Sequence, residues 1–126
     1  ISACLVGSEM CIRDRENVPY EETVLSAHRD LPELVKFLGE LEASGEKAVI
    51  LAVAGLSAAL PGVVVMSCSL PVIGVPVPGG PLNGIDALLA IAQCPGGVPC
   101  TTVGLHKKTP VNAAMAAHRI LKLAGL

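Results

Sequence analysis

The sequence predicts an α/β domain built on a parallel sheet with helices on both faces. Three observations carry that expectation. β-branched apolar runs alternate with stretches whose apolar residues recur at helical spacing. The two middle runs, Ala48 to Val53 and Pro71 to Val77, are apolar throughout rather than alternating, as in strands buried on both faces. No charged residue falls between Lys47 and Asp86, so the middle of the chain belongs in an interior. A length of 126 residues suits one domain.

Regular alternation starts at Pro19. Tyr20 to Leu25 reads as a strand that ends in Ser26-Ala27-His28-Arg29. Asp30 is placed to cap a helix whose stripe is Leu31, Leu34, Val35, Leu38 and Leu41, and Gly45 stops it. Ala48 to Val53 is the second strand, broken by Gly55. Leu60 to Ser67 fits a short helix with Pro61 in its first turn. Pro71 to Val77 is a strand closed by the 78–81 Pro/Gly loop. Asn83 to Ala92 reads as a helix, Pro99 to Leu105 as a strand and Val111 to Leu123 as the last helix. Strand and helix repeated four times, with right-handed crossovers, give a parallel three-layer αβα sandwich.

The first fifteen residues stand apart. Ile1 to Gly7 has strand character and Gly7-Ser8 resembles a phosphate-binding turn, but only nine residues separate Ser8 from Val18. A parallel crossover needs a dozen or more. The stretch from Cys4 to Arg15 reads like a translated sequencing adapter fused to a truncated frame. Residues 1–15 are therefore expected to be a non-native leader that packs poorly. Residues 16–126 are expected to form the domain, its sheet missing a first strand.

Composition excludes several function classes. A net charge of −2 with 16% charged residues advertises no basic surface for nucleic acid. Ala48 to Met66 is long and apolar enough to pass for a membrane helix. It contains Gly55, Pro61 and Gly62, however, and no aromatic belt or basic cluster flanks it, so a buried strand and helix fit better. Five cysteines without a signal peptide point to a reducing compartment. Cys94 and Cys100 are six apart, but no partner pair completes a zinc signature, and no metal site is expected.

Chemistry is expected where strands end, because open parallel sheets bind ligands outside the carboxyl ends of their strands. Ser26-Ala27-His28-Arg29 lies at such an end. Histidine moves protons near neutral pH and arginine grips phosphate bidentately, although from the tetrapeptide alone a solvent-facing pair before a helix is the favoured reading. Gly55, Ser57 and the Leu60-Pro61-Gly62 turn follow the next strand, with small residues that admit a ligand to the backbone. Asn83 to Asp86 follows the Pro/Gly loop as an ordinary helix opening or a ligand wall. Nothing matches a P-loop, a dinucleotide fingerprint or a hydrolase triad.

Taken in order, these segments resemble one family. Val18-Pro19-Tyr20-Glu21, Ser26 to Arg29, Ala54-Gly55, Leu60-Pro61-Gly62, Pro71 to Pro76, Leu82 to Asp86, Gln93 with Pro95 to Pro99, and Asn112-Ala113 are similar to PurE over about 110 residues. The resemblance implies a flavodoxin-like fold and cofactor-free, metal-free carboxyl transfer on aminoimidazole ribonucleotide in purine synthesis. It implies that His28 is the general acid/base and that Arg29, with Ser26, binds the substrate's phosphate end. Gly55, Ser57, Leu60, Pro61 and Gly62 would bound the carboxylate pocket, and Asn83, Asp86 and Gln93 would wall the base. It further implies a ribonucleotide substrate, a homo-octamer whose sites use neighbouring chains, a cytoplasmic setting, and neither nucleic acid nor membrane as partner.

The sequence departs from the family in three places. Of the family's Gly-Ser-x-Ser-Asp loop, Gly7-Ser8 supplies only the first two letters. Ala59 stands where mutases usually carry histidine. The chain stops at Leu126, inside a helix that continues in many relatives. The chain as it stands is therefore expected to be inactive, its parent being a mutase that converts N5-carboxyaminoimidazole ribonucleotide to the 4-carboxy isomer. The alternatives are a direct CO₂-dependent carboxylase, a nicotinate-nucleotide carboxylase relative, and a dead paralogue.

Overall fold

Six consecutive apolar residues, Val49–Ala54, form the strand around which the sheet is built. The computed structural model describes residues 3–6 and 20–125. In chain order its elements are β1 (Ala3–Val6), β2 (Tyr20–Thr23), α1 (Leu31–Ala43), β3 (Val49–Ala54), α2 (Ala59–Ser67), β4 (Val72–Pro76), α3 (Ile85–Ala92), β5 (Thr101–Thr102) and α4 (Thr109–Leu123). The sheet order is β2-β1-β3-β4-β5, and all four pairings are parallel. This is the flavodoxin-like arrangement that strand-helix alternation predicts.

Side chains along β3 alternate between two cores, as the pleat requires. Ile50 and Ala52 face Leu34 and Leu38 of α1 and Leu60, Val64 and Val65 of α2. Val49, Leu51 and Val53 face Ala113, Ala117 and Leu121 of α4, together with Ile73 and Val75 of β4. The apolar stretch from Ala48 to Met66 is thus a buried strand followed by a helix. Among the described residues no helix is long and apolar enough to cross a membrane.

Local chemistry explains most element ends. Of the α1 stripe, Leu34 and Leu38 are buried and Leu41 packs at the core's edge, but Leu31 and Val35 remain exposed. The edge strands β2 and β5 are shorter than expected because each pairs on one side only. At β5 the Thr102 hydroxyl accepts from Gly104 N–H at 3.2 Å, which turns the chain out of the ladder. The fully buried Thr109 then fixes the start of α4. Its hydroxyl donates to Gly104 C=O at 3.0 Å and accepts from His106 N–H at 2.7 Å. In β4, Gly74 lets α3 approach, since a Cβ there would lie 2.7 Å from the Ile91 side chain.

One expectation is corrected. The sheet does not lack its first strand: Ala3–Val6 pairs with Tyr20–Thr23 on one side and with Val49–Ala52 on the other. The gap from Ser8 to Val18 is only part of the crossover. The ladder ends at Val6 and resumes at Tyr20, which leaves residues 7–19, thirteen residues, enough for a parallel connection. Gly7 and Ser8, expected to imitate a phosphate turn, lie outside the described residues.

Candidate substrate site at the carboxyl edge of the sheet

Because every strand is parallel, β2, β3, β4 and β5 all deliver their carboxyl ends to one edge. Sequence order reverses between β1 and β3, and that switch point is where such sheets open a crevice.

Beyond β2 the chain folds into a tight turn. Asp30 N–H donates to Ser26 C=O at 2.8 Å, and Arg29 N–H donates to the same oxygen at 3.3 Å. The Asp30 carboxylate accepts from Ser26 N–H at 2.9 Å, and the Ser26 hydroxyl oxygen accepts from His28 N–H at 3.3 Å. Asp30 is the N-cap of α1 by position, but its side chain serves the turn and makes no cap hydrogen bond. Ala27 packs against the core, whereas His28 and Arg29 are exposed beside it. An imidazole and a guanidinium are thereby held in sequence at the edge, one able to move protons and the other to grip an anion.

Gly55, Leu56 and Ser57 follow β3 as an exposed turn in which Ala58 N–H donates to Gly55 C=O at 3.2 Å. Leu56 sits in the left-handed region at φ 53°, an uncommon conformation for a branched residue. Ala58 brings no side-chain cap to α2, so the amides of its first turn face this edge uncapped. Leu60 and Pro61 are buried and Gly62 is half-buried in the first turn of α2, which opens at this edge. β4 hands over to the same neighbourhood. Val77 N–H donates to Ala54 C=O at 2.9 Å, and a Cβ on Gly55 would rest 3.4 Å from Val77 C=O.

At the mouth of α3, Asn83 is exposed with φ 50°, and Gly84, the N-cap, is also left-handed. A Cβ at Gly84 would lie 3.0 Å from the Pro78 backbone, so the loop is drawn tightly onto the helix start. Asp86 lies in the first turn with its Oδ1 buried and accepting no hydrogen bond among the described residues.

The structure therefore brings Ser26, His28, Arg29, Gly55, Ser57, Asn83 and Asp86 to one edge. Gln93 is not among them. α3 carries the chain back across the sheet, Gln93 is its C-cap, and Cys100 then precedes β5, whose Thr101 pairs with Ile73 near the start of β4. Gln93 thus stands at the amino edge. The alternation itself carried that signal, since a helix between parallel strands must end where the next strand begins. On the opposite face of the sheet, an open hollow of about 400 Å³ is lined by Val103, Asn112, Met115, Ala116, Arg119 and Ile120. It contains none of the edge residues. Among the described residues no group of three potential metal ligands converges.

A doubly wound α/β domain with its candidate chemical groups gathered at the carboxyl edge of the sheet is the class that this geometry defines. Comparison with known proteins narrows it. The family model described as AIR carboxylase matches residues 6–125, and the chain belongs to that family. It is 47% identical over 110 residues to the N5-carboxyaminoimidazole ribonucleotide mutase of Bacillus subtilis, covering 87% of this chain and 67% of the relative. It is 46% identical over 105 residues to the phosphoribosylaminoimidazole carboxylase of Ogataea methanolica, covering 83% of this chain and 19% of the relative. The crystal structure of Treponema denticola PurE superposes with a TM-score of 0.75 at 30% identity, over 84% of this chain and 64% of that one. The chain thus spans about two thirds of the mutase and about a fifth of the fungal carboxylase.

Proposed function

We propose that this chain carries the catalytic edge of an enzyme that transfers a carboxyl group on aminoimidazole ribonucleotide in purine biosynthesis. The mutase reaction, from the N5-carboxy to the 4-carboxy isomer, is the preferred form. The observation that carries the reading is the Ser26–Asp30 turn, which holds His28 and Arg29 side by side where β2 ends. His28 relays the proton that leaves carbon four once the carboxylate is installed there. Arg29 binds the phosphate, supported by Ser26. Gly55, Ser57 and the uncapped start of α2 receive the migrating carboxylate, and Asn83 and Asp86 border the base. No bound cofactor or metal enters the chemistry.

Gln93 contributes to a site only from a neighbouring copy, because its own chain places it at the amino edge. That favours an assembly whose sites are shared between chains, which the family resemblance makes a homo-octamer; a cytoplasmic setting is proposed from the same resemblance. The chain itself is proposed to turn over no substrate, since Gly7-Ser8 is all that it carries of the Gly-Ser-x-Ser-Asp loop. The test compares this chain with one in which Met10→Ser and Cys11→Asp complete the Gly-Ser-x-Ser-Asp loop begun by Gly7-Ser8. Turnover of the N5-carboxy substrate by the second chain alone supports the reading, and turnover by neither contradicts it.

A second reading rests on Ala59, which opens α2 where mutases usually carry histidine. Direct carboxylation is distinguished by substrate: it consumes aminoimidazole ribonucleotide with CO₂ and leaves the N5-carboxy compound untouched.

A further inference from the structure

Two leucines from neighbouring turns rest on two glycines of the loop between β4 and α3. A Cβ at Gly80 would lie 2.6 Å from Leu56 Cδ2, so the tip of Leu56 fills the place where that residue would carry a side chain. A Cβ at Gly84 would lie 3.0 Å from Leu105 Cδ1, so Leu105 does the same at the far end of the loop. At Gly79 a Cβ would meet nothing within 4 Å among the described residues, so the Leu56 contact is local to Gly80 and not a general crowding. Leu56 comes from the turn after β3, and Leu105 from the turn after β5.

Burial does not account for Leu56. The residue is 59% exposed, yet its backbone stands at φ 53°, in the left-handed region that residues other than glycine seldom enter. Such outliers persist where the surroundings fix them, and they gather at ligand clamps. What the conformation delivers here is the contact with Gly80. Between the two glycines, Asn83 N–H donates to Gly80 C=O at 3.4 Å and Ile85 N–H donates to Leu82 C=O at 3.1 Å. Asn83 lies exposed inside the gripped span, and Asp86 follows it in the first turn of α3.

We propose that Leu56 and Leu105 are positioning residues that grip residues 80–84 between the turns after β3 and β5 and so hold Asn83 and Asp86 as one wall of the substrate site. The grip couples that wall to Gly55 and Ser57, which flank Leu56 in the turn proposed to receive the carboxylate. Its effect on turnover rests on the reading given under Proposed function; the grip itself does not.

The experiment measures amide hydrogen exchange by mass spectrometry on the purified chain, Leu56→Ala and Leu105→Ala. Each variant should speed exchange across residues 80–86 by roughly tenfold, as a local opening made easier, while β3 and α4 exchange as in the parent. Unchanged exchange across 80–86, or equal acceleration throughout the chain, would overturn the grip. A double-variant cycle tests the contact directly: in urea unfolding, Gly80→Ala should cost more stability in the parental chain than in Leu56→Ala, because its methyl strikes Leu56 Cδ2. Equal costs in the two backgrounds would contradict it. In the chain whose Gly-Ser-x-Ser-Asp loop has been completed, Leu56→Ala should lower the rate at saturating substrate by roughly 10- to 100-fold, a loss of alignment, and change the substrate concentration required much less. Parental turnover alongside accelerated exchange would leave the loop gripped but overturn the positioning role.

Discussion

The carboxylate of Asp30 accepts a hydrogen bond from the backbone N–H of Ser26 at 2.9 Å, which closes the turn carrying His28 and Arg29. An acidic residue at the start of α1 thus holds the two candidate chemical groups rather than the helix behind it. Asp30→Ala removes a charge-assisted bond worth about 1.5–3 kcal/mol. It should lower the urea midpoint with an unchanged denaturant slope. An unchanged midpoint would show that the turn holds without its carboxylate.

Gly74 and Ile91 fix the spacing between β4 and α3. A Cβ at Gly74 would sit 2.7 Å from one Ile91 side-chain carbon and 3.0 Å from two others. Overpacking of this kind costs roughly 1–3 kcal/mol. Gly74→Ala should lose stability by that amount in urea unfolding. The double variant Gly74→Ala, Ile91→Ala should be less destabilised than the sum of the two single variants, because the side-chain carbons that are struck are gone.

Glu42, near the end of α1, accepts from both the hydroxyl and the backbone N–H of Ser69, the latter at 2.8 Å. These bonds, the hydroxyl's first, hold its carboxyl below the usual range. A depressed folded-state value stabilises above the ordinary carboxylate pKa and loses that contribution as pH falls through the lowered one. The stability gap between the chain and Glu42→Gln, read from urea midpoints in a pH series, should therefore be open at neutral pH and close towards acid. A gap that widens on acidification would reverse the sign.

Much of the fold was legible because the apolar runs are unmixed. β3 and β4 and all four helices fall within two residues of the boundaries expected from periodicity and from Gly and Pro punctuation. The first strand was misjudged because a short polar segment was read as the whole crossover, whereas the pairing ends two residues earlier at Val6 and begins two later at Tyr20. The edge strands were overextended because periodicity does not register that a ladder has a partner on one side only. At the site, Ser26, His28 and Arg29 were found from their place after a strand. Gln93, named from the family resemblance and not from its place after a strand, stands at the amino edge because a helix between parallel strands ends where the next strand begins. Thr109, a buried hydroxyl bonded on both sides, carried no sequence signal beyond preceding a proline.

The most direct test of the account is the turnover of His28→Asn in the chain whose Gly-Ser-x-Ser-Asp loop has been completed, measured beside Arg29→Ala. Proton relay acts on the transition state, whereas a phosphate contact acts on ground and transition states alike. His28→Asn should therefore lower the rate at saturating substrate by about 10²–10⁴-fold while substrate binding persists. Arg29→Ala should chiefly raise the substrate concentration required. Near-parental turnover by His28→Asn would contradict the assignment of proton relay to the turn at the end of β2.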